Sequence, residues 1–316
     1  SIKDTHLAYE MIKRGHPIED FTDLWDNGLP EIIASCVRHF IELPGKMMLD
    51  ADFANIEARI TPWLCGQEDM LDEFRLHSRM KEEKGEKAAY EYDPYVIMAA
   101  AIFGVKGKDV TKDQRFVGQT AVLSSCYQTG WRKFQMMCAG YGRKLSDDIC
   151  KLTIEKYREK RDRIATHWRL YNDAAKEAIR NNGKFAVPVG RVSFRCGKLE
   201  QAGFHALRMT LPSGRILNYP LARLQWVDKK FPDGGTSKME EIQFWGPYKD
   251  KAVWGWQSTY GGKLLENSVQ AIGGDFMISG LLAAEKAGYP AFATIHDQAL
   301  CIKEDGMTAD GFREAL

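Results

Sequence analysis

The sequence predicts an α+β fold, because strand-like and helix-like patterns occupy separate blocks of the chain. The N-terminal stretch 1–46 and the stretch 93–180 have helical patterns, whereas from residue 183 the pattern changes to that of strands. Two short apolar runs, one ending at Asp52 and the other leading into Asp297, predict further strands. They lie 245 residues apart and each presents an aspartate where the run ends.

Length and composition describe an ordinary globular protein. The 316 residues can bury a large core, and 44% hydrophobic with 28% charged residues is a typical balance. No window reaches the ~20 apolar residues of a membrane span, and no signal peptide opens the chain. The seven cysteines, without a C-x-x-C pair, indicate reduced thiols in a cytosolic protein. The net charge of +1 does not itself support nucleic-acid binding, and the basic clusters at 106–115 and 156–163 fit solvated helix faces.

The first strand is predicted at 47–52. In a strand there, Asp50 and Asp52 point to one face, while Leu49 and Ala51 point to the other. Apolar residues at helical spacing follow directly, so a helix leaves the strand just after Asp52.

Later elements follow from turn residues and periodicity. Asp93-Pro94 is a good helix start, and 188–190 is typical of the turn of a hairpin. The polar, Gly-rich stretch 229–240 predicts a loop, and 263–288 predicts a helix. The stretch 291–303 predicts a strand, a tight turn at His296-Asp297 and a second strand.

The two aspartates suggest a chemistry. Carboxylates presented from adjacent strands can hold two divalent metal ions, which is the arrangement used for in-line phosphoryl transfer. Asp52 and Asp297 are therefore the candidate catalytic residues.

A second candidate group has a spacing of four residues throughout. Arg115, Gln119, Leu123 and Tyr127 would form one stripe on a helix, with the arginine near the helix start, where anions are favoured. Arg115 could grip phosphate oxygens, and Leu123 with Tyr127 could receive a base and sugar. An amphipathic core helix with one surface arginine would show the same pattern, and the stripe alone does not decide between the two.

Taken together, these segments resemble the DNA polymerase I family (family A), in particular a bacteriophage-type polymerase domain. The stretch from Asp52 to Arg59 is similar to the motif D-[YF]-S-x-I-E-x-R, and Ile295 to Gln298 is similar to V-H-D-E. Arg115 to Tyr127 is similar to the fingers-helix motif, normally R-x-x-x-K with a later Tyr-Gly. The resemblance runs in the family's order from about residue 35 to about residue 305.

The resemblance implies a right-hand polymerase fold with an antiparallel-sheet palm and helical fingers. It places palm segments at 47–67 and 183–316, fingers at 68–182, and an N-terminal helical segment at 1–46 that would be a thumb remnant. The thumb is accordingly expected to be largely missing or truncated.

The resemblance also implies a role for each matching residue. Two Mg²⁺ ions would be held by Asp52, the backbone carbonyl of Phe53 and Asp297. The nucleotide-binding residues would be Phe53, Glu57, Tyr95, Arg115, Gln119, Leu123 and Tyr127. The DNA-binding residues would be Arg59, Gln270 and His296.

The implied function is a DNA-directed DNA polymerase, a nucleotidyltransferase that adds deoxynucleotides to a primer 3′ end by two-metal phosphoryl transfer. The implied partners are primer–template DNA and deoxynucleoside triphosphates, with no membrane. The chain would act as a monomer in the cytoplasm, that of a bacterial host cell if it is phage-encoded.

Two departures from the family pattern leave an alternative open. Gln119 stands where the family has lysine, and Gln298 stands where it has glutamate. Losing a charge-assisted contact of ~1.5–3 kcal/mol would slow turnover or weaken nucleotide binding by about one to two decades. The alternative is a primer–template DNA-binding module with weak or no catalysis. A metal-dependent phosphohydrolase using His296 and Asp297 is a third hypothesis.

Overall fold

The computed structural model describes residues 4–25, 28–36, 47–199, 203–230, 235–248 and 253–316. Its α-helices are α1 (Thr5–Lys13), α2 (Ile18–Leu24), α3 (Leu29–Ser35), α4 (Ile56–Cys65), α5 (Glu68–Lys84), α6 (Glu86–Ala89), α7 (Pro94–Phe103), α8 (Lys112–Ser125), α9 (Trp131–Gly140), α10 (Asp147–Lys160), α11 (Asp162–Arg180), α12 (Gly261–Lys286) and α13 (Ala309–Ala315). Its strands are β1 (Met48–Asp52), β2 (Val187–Val189), β3 (Val192–Leu199), β4 (Phe204–Thr210), β5 (Ile216–Pro220), β6 (Arg223–Lys230), β7 (Thr236–Pro247), β8 (Trp254–Thr259), β9 (Ala291–Ile295) and β10 (Gln298–Ile302). The α+β mixture is confirmed.

The chain divides into two compact units. The first comprises Ser1–Asp52 with Gly280–Leu316, and the second comprises Phe53–Ser279. The long helix α12 contributes residues to both. The predicted palm, fingers and thumb boundaries stay a prediction.

The first unit begins with the helices α1 to α3. The Asp4 side chain caps α1 by accepting a hydrogen bond from the Leu7 amide at 3.0 Å. A small apolar core holds the three helices together and consists of Ala8, Tyr9, Met11, Phe21, Ile32 and Cys36. The helical prediction for 1–46 is confirmed where the chain is described, and 37–46 lie outside the described residues.

The same unit contains a three-stranded antiparallel sheet in the order β1-β10-β9. Along β1, Leu49 and Ala51 are buried while Asp50 and Asp52 are exposed, as the alternation predicts. Helix α13 packs against β1, and its Phe312 stacks on Tyr289 at 5.7 Å between ring centroids. Strand β1 therefore directs Leu49 and Ala51 to one face of the sheet and its two aspartates to the other, whereas the central strand β10 is buried on both faces at Ala299, Leu300 and Cys301.

The second unit contains the helices α4 to α11 and most of α12. Most of its core forms one cluster, and its largest fully buried side chains include Phe74, Phe134, Tyr157, Tyr171, Phe194 and Leu207. The reading of 156–163 as a solvated face is wrong for Arg161, which is fully buried. Its guanidinium forms ion pairs with Asp69 and Glu73 of α5, because a buried charge requires partners.

Two antiparallel sheets complete the second unit, in the orders β2-β3-β4-β5 and β6-β7-β8. The hairpin predicted around 188–190 is confirmed by the pairing of β2 with β3. The loop predicted over 229–240 is wrong at both ends, because β6 runs to Lys230 and β7 starts at Thr236. The first four residues of β7 are exposed, so this end of the strand lacks the apolar alternation that marks a half-buried strand.

No helix in the described part of the chain is long and apolar enough to cross a membrane.

Candidate active site

The sheet of the first unit brings the two aspartate segments together. Asp52, the last residue of β1, pairs directly with Gln298, the first residue of β10. Ile295 pairs with Gln298 across a two-residue turn formed by His296 and Asp297, and His296 has the left-handed φ of 57°. The predicted strand, turn and strand are confirmed, and Asp297 immediately precedes the residue that faces Asp52.

Gln298 has an unusual hydrogen-bonding state at this sheet edge. Its amide Nε2 donates to Oδ2 of Asp50 at 2.6 Å, whereas its Oε1 is buried and has no hydrogen-bond partner among the described residues. An orphaned buried oxygen is costly unless a water or cation meets it.

The donor groups at this edge are oxygens. Asp52 and Asp297 supply carboxylates, and Gln298 supplies the orphaned amide oxygen. Carboxylate and amide oxygens are the ligands that Mg²⁺ prefers, so the chemistry of these donors fits such an ion. Within the described ranges, no group of three or more His, Cys, Asp or Glu side chains is placed to hold a metal.

The second unit brings Glu57 and Tyr127 together across 70 residues. The Tyr127 hydroxyl donates a hydrogen bond to Oε2 of Glu57 at 3.0 Å. Burial, followed by the neighbouring Cys126 and Glu57, raises the pKa of the Tyr127 phenol far above its usual range. The phenol therefore stays protonated and remains a donor to the Glu57 carboxylate.

Tyr127 does not lie on the helix that carries Arg115. Helix α8 ends at Ser125, so the predicted stripe is confirmed as helical for Arg115, Gln119 and Leu123 only. Gln128 follows Tyr127 with the left-handed φ of 63°, which turns the backbone away from the helical path.

The loop that carries Tyr127 is held from two sides. Trp168 of α11 donates its indole N–H to the carbonyl of Cys126 at 2.7 Å. The amide of Gly262, at the start of α12, donates to Oε1 of Gln128 at 3.2 Å. A Cβ on Gly262 would lie 2.6 Å from the Tyr127 carbonyl oxygen, so only glycine allows this approach.

Arg115 and Tyr95 meet around a buried aspartate. Asp93 caps α7 by accepting from the Tyr95 amide at 2.9 Å, and Arg115 donates to the same carboxylate from Nε at 2.8 Å and Nη2 at 2.6 Å. The Arg115 guanidinium lies 5.4 Å from the centre of the Tyr95 ring. Burial, with a smaller contribution from Asp93, raises the pKa of Tyr95 to about 12. The Tyr95 hydroxyl donates to Oδ1 of Asn55 at 2.6 Å.

Sequence reasoning did not find the partners in this group. The sequence marks Asp93 as a helix start and as part of a stretch similar to the family, and it marks neither Asp93 nor Asn55 as a partner of Arg115 or Tyr95. No local pattern in the sequence shows that a capping aspartate will also bind an arginine 22 positions later.

The remaining candidate residues do not belong to the Glu57–Tyr127 pair or to the group around Asp93. Arg59 is engaged internally: it donates to the Ala54 carbonyl and to Ser78, both at 3.1 Å, and burial lowers its pKa. Gln270 is exposed on α12 and lines a cavity of about 440 Å³ with Tyr219 and Asn267. Gln119 is half-buried and His296 is exposed. The backbone carbonyl of Phe53 accepts a hydrogen bond from the Ile56 amide at 3.2 Å.

The comparisons with known proteins agree with the motif resemblance. The chain is 29% identical over 303 residues to the DNA polymerase of Bacillus phage SP02, covering 95% of this chain and 42% of that protein. The chain thus spans less than half the length of this curated relative. No protein-family model matches the sequence.

A solved structure has a similar fold. The POL domain of Pol1 from M. smegmatis, in complex with DNA primer-template and dNTP, superposes with a TM-score of 0.50 at 14% identity. The match covers 92% of this chain and 40% of that one. The fold is therefore similar to that of a DNA polymerase domain, and the predicted resemblance to DNA polymerases is confirmed.

Proposed function

We propose that this chain is a template-directed DNA polymerase domain that adds deoxynucleotides to a primer 3′ end. The observation that carries the proposal is the pairing of Asp52 with Gln298, which unites two acid-bearing motifs 245 residues apart at one sheet edge. Similarity to a phage DNA polymerase over 95% of the chain supports it. Because the chain spans 42% of that relative, the proposal concerns polymerisation alone.

In this proposal Asp52 and Asp297 hold two Mg²⁺ ions, with the Phe53 carbonyl as a further ligand. Bound Mg²⁺ supplies activation of the primer 3′-hydroxyl and stabilisation of the departing pyrophosphate. Both carboxylates, and the orphaned oxygen of Gln298, are suitable donors for such an ion.

The residues of the second unit bind the incoming nucleotide. Arg115 and Gln119 contact its phosphates, Leu123 offers an apolar surface, and Tyr95 borders the triphosphate. Glu57 lies under the sugar and excludes a ribose 2′-hydroxyl, and its hydrogen bond to Tyr127 fixes the position of the carboxylate.

The DNA contacts are to backbone and minor groove, without sequence specificity. Arg59, Gln270 and His296 make them in this proposal. The architecture is a right hand with palm and fingers segments as the motifs assign them. The chain acts as a monomer, and the phage origin of the relative suggests the cytoplasm of a bacterial host.

Single-nucleotide primer extension with Mg²⁺ tests the proposal, with Asp297→Ala as the comparison. We expect the parent to extend the primer and Asp297→Ala to abolish extension while primer–template binding is retained. Extension retained by Asp297→Ala would contradict the assignment of this carboxylate. No extension by either protein, with DNA still bound, would favour the binding module.

The variant Gln119→Lys tests whether the neutral residue at position 119, where the family has lysine, weakens catalysis. The family's lysine would restore a cation near the triphosphate, so we expect a lower nucleotide KM or a higher kcat by about one to two decades. A fall in activity would mean that the pocket is adapted to a neutral residue.

A further inference from the structure

Asp50 and Gln298 form a polar pair beside the turn that carries Asp297. The family motif that this turn resembles has a negative charge on its last residue, where this chain has the neutral Gln298. In V-H-D-E the last residue is a glutamate, whereas this chain has Gln298 bound to Asp50 at 2.6 Å. We propose that the two act as one unit, in which Asp50 supplies the missing negative charge and Gln298 fixes it beside Asp52 and Asp297. They are positioning residues, and the inference rests on the proposed function.

The strand register places the pair on the correct face. Asp50 pairs with Leu300 and Asp52 pairs with Gln298, so Gln298 is a diagonal neighbour of Asp50. Residues at alternate positions share a face, and directly paired residues do as well. Asp50, Asp52 and Gln298 therefore lie on the face opposite buried Leu49 and Ala51.

Among the residues that the structure describes, no basic side chain neutralises the charge of Asp50. Over the ranges that the structure describes, no lysine or arginine forms an ion pair with Asp50, and its partner is the neutral amide of Gln298. An amide donor orients a carboxylate while leaving its full negative charge, as the outer partners of metal ligands do.

The orientation of the Gln298 amide has a second consequence. Turning it over would bring Oε1 against the Asp50 carboxylate, where two acceptors repel, so the N–H must face Asp50. Its Oε1 is consequently directed away from Asp50, and in the described part of the chain it is this oxygen that is buried without a partner. Because the surrounding protein atoms cover this oxygen, a cation or its bound water would satisfy it only after the side chain moves.

A charge-swap cycle tests the pair, with Mn²⁺ binding followed by electron paramagnetic resonance as a readout that needs no turnover. Asp50→Asn removes the charge, and we expect Mn²⁺ affinity to fall about tenfold. Gln298→Glu sets a second carboxylate against Asp50. We expect it to lower the melting temperature in a chelator and to tighten Mn²⁺ binding severalfold, since like charges repel until a cation joins them.

The double variant Asp50→Asn with Gln298→Glu tests whether the two residues act as one unit. It moves the carboxylate across the pair while keeping one acid, one amide and a hydrogen bond between them. If the pair is a unit, Mn²⁺ affinity returns to within about twofold of the parent. Asp305→Asn, which removes an exposed acid from a turn of the same unit, is the matched control and should change nothing.

Two results would overturn the inference. One is unchanged Mn²⁺ affinity in a folded Asp50→Asn protein while Asp297→Ala loses binding, which leaves the proposed function intact. The other is a folded double variant that binds as weakly as Asp50→Asn. If Asp297→Ala also binds Mn²⁺ like the parent, the metal assignment of the proposed function fails together with the inference.

Discussion

Arg115 donates through both Nε and Nη2 to a single carboxylate oxygen of Asp93, at 2.8 and 2.6 Å. The Asp93 side chain is 7% exposed and that of Arg115 is 33% exposed, so the pair lies at the edge of the core. A triphosphate that binds Arg115 must therefore share the guanidinium with Asp93 or displace it.

Asp93→Asn tests this competition. Asparagine keeps the cap on α7 through its Oδ1, but its Nδ2 is a donor and cannot accept from Arg115, so we expect the free energy of unfolding to fall by about 1–2 kcal/mol. Because Arg115 is then released, the nucleotide KM in primer extension should fall. Arg115→Ala is the control that should raise KM, and a raised KM in Asp93→Asn would show that the aspartate orients the arginine for binding.

Glu57→Ala should relax discrimination against ribonucleotides. The carboxylate is held by the Tyr127 hydroxyl at 3.0 Å, and a hydrogen bond to a charged group is worth about 1.5–3 kcal/mol. We expect the ratio of kcat/KM for deoxynucleotides over ribonucleotides to fall by about tenfold or more. Tyr127→Phe keeps the ring and removes the donor, so it should give a smaller loss in the same direction. Unchanged ratios in both variants would remove Glu57 from sugar selection.

The alkaline stability of the protein should depend on Tyr95. Burial, with help from Asp93, raises the pKa of this phenol from the ordinary 10.0 to about 12. A raised folded-state pKa contributes stability that is complete below pH ~10 and is lost as the pH rises towards ~12, because the unfolded chain gives up its proton first.

Denaturant unfolding of the parent and Tyr95→Phe at several pH values above ~9 measures this loss. One such tyrosine accounts for up to about 1.4 kcal/mol per pH unit in that window. Tyr95→Phe should therefore show a shallower decline, after a pH-independent offset from the lost hydrogen bond to Asn55. Parallel curves would mean that Tyr95 ionises as freely in the folded protein as in the unfolded chain.

Features set by local chemistry were predictable from the sequence, whereas those set by distant partners were not. Alternation in β1 and the apolar runs around His296-Asp297 predicted strands that the structure confirms. The strand ends at 229–230 and 236–239 were missed because their residues are mostly polar and carry no period-two apolar signal. The departure of Tyr127 from the helical path depends on Trp168 and Gly262, which are remote in sequence.

Gly118 sets the distance between α7 and α8, and hence the position of Arg115 and Gln119 relative to Tyr95. A Cβ there would lie 2.2 Å from the Tyr95 carbonyl oxygen and 2.8 Å from the Ala99 amide nitrogen. Both contacts are with backbone, which cannot rotate away, so Gly118→Ala must push the helices apart. We expect a loss of about 1–3 kcal/mol or more in the free energy of unfolding.

Gly140→Ala is the matched control for this substitution. Gly140 is also helical, but no atom of the described residues lies within 4 Å of its would-be Cβ. Alanine is the better helix former by about 0.5–1 kcal/mol, so Gly140→Ala should leave the protein unchanged or slightly more stable. Denaturant titration of the two variants measures the difference. Equal stability of both would mean that α7 and α8 can separate without cost and that the close crossing does not fix Arg115.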